Sequence, residues 1–115
     1  MVYAQATLFL PSTDTTVVQR VLNDFSSADS TIAYKSIKGL IDYTQKEAVQ
    51  LSKLEQKLYL INSDATPTDT SVLNTIGVDY QVVDIPQTGH YPMVEKPTEF
   101  TSLLSSVLKE VVSKN

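Results

Sequence analysis

Apolar residues recur along this chain at two different periods, and the change of period divides it. Up to about residue 55 the spacing is helical. Val17, Val18, Val21, Leu22 and Phe25 fall on one side of a helix that Ser12, Thr13 or Asp14 can cap. Ser26 to Ser30 interrupts it. Asp29 or Ser30 can cap a second helix, with Ile32, Ala33, Ile37, Leu40 and Ile41 on its apolar face, and Gln45 to Leu54 reads as a third, shorter helix. Residues 2–10 fit both periods. Val2, Ala4, Ala6, Leu8 and Leu10 alternate with Tyr3, Gln5, Thr7 and Phe9 as in a strand, while Val2, Ala6, Phe9 and Leu10 share one helical face. Pro11 ends either element.

Beyond Lys57 the pattern changes. Leu58-Tyr59-Leu60-Ile61 is a short continuous apolar run that stops at Asn62-Ser63-Asp64, the signature of a buried strand. Thr68 or Asp69 can cap a helix through Ile76, with Gly77 at its left-handed C-terminal position. Tyr80 to Ile85 reads as a second strand, and a turn-rich loop runs from Pro86 to Lys96. Pro97 is placed to begin a last helix striped by Phe100, Leu103, Leu104, Val107, Leu108 and Val111. Strand, helix, strand, loop, helix is a βαβ unit with a further helix, and its helical crossover makes the strands parallel. The loops 62–69 and 86–96 both follow strands. Both are therefore expected at the carboxyl edge of the sheet, where open α/β folds collect ligands and catalytic groups.

Composition narrows the chemistry. The chain has 115 residues, a net charge of −4, one histidine and no cysteine. Its length and its 42% of hydrophobic residues fit a single packed domain rather than a disordered chain. Lysine and arginine are scattered, so no basic stripe is present to track a nucleic-acid backbone. The absence of cysteine excludes thiolate catalysis and thiolate metal sites, and one histidine is too few for a zinc or iron site. No glycine-rich loop is present to cradle phosphate, and no cofactor is expected. The apolar runs are too short to cross a bilayer, and the N-terminus lacks the basic region of a secretory signal, so a cytoplasmic address is the default.

Two stretches carry a family resemblance. Leu58 to Thr68 resembles the acid strand and loop of α/β-hydrolases. Val82 to Pro97 resembles their histidine loop: an apolar strand leads to Gly89-His90, then Met93, Glu95, Pro97 and the helix bearing Phe100. The Gly-His pair alone is weak, and the whole ordered run carries the likeness. Residues 12–55 are similar to the cap helices that some members insert before the acid strand. The resemblance implies an α/β fold, a partial α/β-hydrolase fold in which a helical cap segment precedes a parallel βαβ unit and a C-terminal helix. It implies one domain over 1–115, cap-like over 1–55 and hydrolase core over 56–115. The family's nucleophile occupies a Gly-x-Ser-x-Gly elbow, and none of Gly39, Gly77 or Gly89 flanks a serine at that spacing. The expectation is thus a truncated hydrolase-like chain, inactive alone. The alternative is the C-terminal part of a split or larger esterase-like enzyme.

By the resemblance His90 is the general base of a serine-histidine-acid triad. Against this stands a loop histidine that caps backbone groups. The usual family spacing from Ser63 falls on Thr66. A subgroup with Asn-Ser-Asp-x-x-Pro-Thr resembles Asn62 to Thr68, which makes Asp64 the candidate acid, beside the simpler reading that Asp64 caps the helix starting near Thr68. Asp69 reads as a first-turn or N-cap residue, Glu95 as a residue that caps or hydrogen-bonds the last helix, and Asp84 as a strand residue without chemistry. The dispersed tyrosines read as amphipathic packing. In the family the strand matching 57–62 is paired on both sides. Without the other half its edge would template another chain. Residues 2–10 could cover that edge as an extra strand, but a homodimer through the exposed sheet edge is expected, with residues 2–10 contributing, or else an N-terminal hydrolase half as partner.

Overall fold

A computed structural model describes residues 2–113. Three helices come first: α1 (Val2–Leu8), α2 (Thr15–Ser27) and α3 (Ser30–Leu51). Then follow β1 (Leu58–Ser63), α4 (Ser71–Ile76), β2 (Tyr80–Ile85), α5 (Pro92–Glu95) and α6 (Pro97–Ser113). The strands pair in parallel with no offset, from Leu58 opposite Tyr80 to Ser63 opposite Ile85. The architecture is a mostly helical chain around a two-stranded parallel sheet, the βαβ unit and following helix that the hydropathy pattern predicts.

Local signals account for most boundaries. Asp14 accepts the Thr16 amide at 2.7 Å and so caps α2, and Asp29 accepts the amides of Thr31 and Ile32, both at 2.9 Å, at the start of α3. Gly77 closes α4 at φ 72°, the left-handed cap predicted for it. The α4 helix begins at Ser71 rather than near Thr68, with Asp69 accepting the Ser71 amide at 2.9 Å. Pro97 opens α6, where its missing N–H removes no helical bond.

One open alternative is decided and one expectation changes. Residues 2–8 are a helix, so the strand reading of the N-terminal segment is not the one adopted, and this segment adds no third strand to the sheet. Helical geometry lets Ala4 and Leu8 lie against the cluster of Phe9, Val18, Val21 and Leu22, burial that an isolated strand edge would not supply. The second and third helices expected over 30–54 are one unbroken helix, α3. Between Ile41 and Gln45 stand only Asp42, Tyr43 and Thr44, which weaken a helix slightly but do not stop it, and Lys38 pairs with Asp42 one turn on at 2.6 Å.

The main cluster of buried apolar residues lies between α1, α2 and the segment after β2, where Tyr91 and Val94 pack on it. Leu73 and Ile85 are buried separately, on α4 and at the end of β2. The α6 helix packs on both strands and on α5. The chain is extended for its length, with a radius of gyration of 16.4 Å against about 13 Å for a compact domain of this size. Much of the apolar stripe of α3 and part of that of α6 is exposed. No helix among the described residues is long and apolar enough to cross a membrane.

Candidate functional site

The parallel register ends β1 at Ser63 and β2 at Ile85 side by side, so the loops that follow leave the sheet together. Three polar side chains join them. Ser63 is buried, and its Oγ donates to the Thr88 carbonyl at 2.7 Å while accepting the Ala65 amide at 3.1 Å. Thr88 is fully buried and donates its hydroxyl to the Ile85 carbonyl at 2.7 Å. Asp64 reaches across between the loops, its Oδ2 accepting the Gln87 amide at 2.9 Å and its Oδ1 the Thr88 amide at 3.3 Å. Gln87 is at φ 56°, a left-handed conformation that costs a residue with a side chain about 1 kcal/mol. The Asp64 carboxylate thus grips the loop at its strained residue.

The next turn is held from the other side. Gly89 donates its amide to both Glu95 oxygens, at 3.0 and 3.1 Å, and Tyr91 donates to Oε1 at 3.3 Å. The other oxygen of Glu95 accepts the Thr13 hydroxyl at 2.9 Å, and Thr13 in turn accepts the Leu10 amide at 3.1 Å. Glu95 therefore does not serve as the cap of α6 expected from sequence. It binds the histidine loop to the α1–α2 connection. The His90 amide completes this seam by donating to the Leu8 carbonyl at 2.7 Å. Lys96 closes the loop at its base, donating to the Pro86 carbonyl at 2.8 Å.

His90 and Asp64 thus stand on one edge of the sheet, in loops that touch. Asp64 directs its carboxylate to backbone amides. The exposed His90 imidazole meets the Tyr91 ring edge-on at 5.0 Å between centroids. Among the described residues no side chain hydrogen-bonds to that imidazole. Thr66, at the usual family spacing for the acid, donates its amide to Ser63 Oγ at 3.3 Å. Tyr91 stacks obliquely on Phe9 at 5.9 Å, and burial pushes its phenol above the ordinary tyrosine range. The described residues contain no group of three or more side chains suited to hold a metal ion.

Ser63, Thr88 and Thr13 were not singled out from sequence as parts of this site. Serine and threonine at strand ends and in turns are common, and only the meeting of three loops makes these hydroxyls join them. The chain matches no protein-family model, no curated protein and no solved structure.

The carboxylates of this network make stability depend on acid. The Gln87 amide is the largest cause holding the Asp64 pKa below its ordinary value; desolvation opposes it, and the amides of Thr88 and its neighbours add smaller help. Asp14 and Asp69 are lowered in the same way, by Thr16 and Ser71 respectively. A carboxyl whose folded pKa is depressed stabilises the fold above its unfolded pKa, and that contribution is lost as pH falls through the folded value. Stability to urea should therefore hold down to about pH 4, the ordinary aspartate range, and decline below it. Asp64→Asn should show a shallower decline over that window. An identical acid slope in this variant would mean that the grip on Gln87 is absent in solution.

Proposed function

We propose that this chain is an α/β-hydrolase-type segment that presents a histidine loop at the carboxyl edge of a parallel sheet and has no hydrolase activity of its own. The observation that carries this is the way the loop is held. Asp64, Glu95 and the Leu8 carbonyl fix its backbone on both sides of His90, while the imidazole itself is exposed and without a hydrogen-bonding partner among the described residues. A base positioned in this way needs an activated hydroxyl within reach to become catalytic. No serine in the sequence stands in a glycine-flanked elbow. The parallel βαβ order, and the placing of Asp64 and His90 in neighbouring loops, support the family assignment.

The experiment is hydrolysis of a p-nitrophenyl ester by the wild-type chain and by His90→Ala. The expected result is the same slow background in both. Turnover that disappears with His90 would overturn the proposal. In the second reading the chain supplies His90 to a nucleophile on another polypeptide. The exposed imidazole favours it, because the space a nucleophile would need is open. Its mark would be ester turnover that appears only on mixing with a segment carrying a Gly-x-Ser-x-Gly elbow and is lost with His90→Ala.

A further inference from the structure

The longest helix of the fold is also its least covered. The 22 residues of α3 span about 33 Å, and Tyr34, Ile37, Leu40 and Ile41 are 67%, 60%, 70% and 64% exposed. At about 100° per residue these four fall within an arc of about 120°. Lys35, Lys38, Asp42 and Lys46 occupy the opposite side. The contact of α3 with α4 leaves that apolar arc in solvent. A helix with one apolar side derives most of its stability from burying it.

The pattern of α3 is complementary to itself. Two copies packed antiparallel about a twofold axis beside Leu40 set Leu40 against its own copy and Ile37 against Ile41. The area is adequate. Each of the four exposed apolar side chains can remove on the order of 100 Å² from water, so the two sets supply most of the roughly 1,000 Å² that a specific interface requires.

We infer that α3 is the surface through which two copies of this chain form an isologous antiparallel dimer. The inference does not depend on the hydrolase reading. It uses no residue of the histidine loop, and its test does not involve ester turnover.

The test is light scattering of the full chain at micromolar concentration. The expected mass is twice the 12.7 kDa of the chain. Ile37→Glu with Ile41→Glu should return a monomer with unchanged helical circular dichroism, weakening association at least about 100-fold. The chain has no cysteine, so a single Leu40→Cys gives a second, independent measurement. Mild oxidation should link it to its own copy, while Lys35→Cys, on the opposite side, should remain unlinked. A wild-type monomer at that concentration overturns the inference. So does a dimer that persists in the double glutamate variant, which would locate the contact elsewhere, as at the sheet edge. If the double variant fails to fold, the cross-link alone decides: a failure of Leu40→Cys to link, or equal linking of the two cysteine variants, rejects α3.

Discussion

Gly89→Ala should destabilise the protein by about 3 kcal/mol, the upper range for forcing an extra methyl into a closed contact. A Cβ at this position would stand 2.5 Å from the Leu8 carbonyl oxygen and 2.9 Å from the Phe9 Cα, both backbone atoms, and 3.1 Å from Glu95 Oε1. The glutamate tip could yield, but the end of α1 could not without giving up the 2.7 Å bond from the His90 amide to Leu8. The φ of Gly89 lies outside the left-handed region, where Gly77 is the one glycine found, so the cost comes from the collision and not from backbone conformation. Urea unfolding at neutral pH would measure the loss. Hydrogen exchange would locate it, since the His90 amide should lose protection before the amides of β1 and β2. A variant within about 0.5 kcal/mol of wild type would mean that the loop and α1 do not meet in solution.

Glu95→Ala should cost about 2–3 kcal/mol, the scale of losing charge-assisted hydrogen bonds and leaving partly buried donors without an acceptor. The amides of Gly89 and Tyr91 and the hydroxyl of Thr13 all lose their acceptor at once. Glu95→Gln retains one oxygen and should cost less. Because Gly89 and Glu95 hold the same seam, the double variant Gly89→Ala with Glu95→Ala should be less destabilised than the sum of the single losses. Strict additivity in denaturant titrations would show that the two residues act in separate parts of the structure.

The difference in origin between these two residues shows how far the sequence could be read. Gly89 and Glu95 belong to the most specific run in the chain, so their importance is legible there. Their partners are not, because Leu8, Phe9 and Thr13 lie about eighty positions earlier and nothing in a linear pattern joins them. The same holds for Asp64. Its place after an apolar strand puts it on the loop edge, but only the folded loops show its carboxylate turned toward Gln87 and Thr88.

By itself the sequence determined the parallel strands with their helical crossover, the left-handed stop at Gly77 and the edge on which His90 stands, and it narrowed the caps of α2 and α3 to a few neighbouring residues from which the structure selects Asp14 and Asp29. These follow from hydrophobic period, local hydrogen bonding and the handedness of short connections, all of which act over a few residues or through chain connectivity. The tertiary structure alone decided between helix and strand for residues 2–8, joined the two expected central helices into α3, and turned Glu95 from a helix cap into the tie between the histidine loop and the N-terminal helices. In each case the local preferences were nearly balanced. For the N-terminal segment and Glu95 the choice fell to burial and hydrogen bonds with residues distant in the chain. For α3 it fell to the cooperativity of a helix that met no proline or glycine at the expected break.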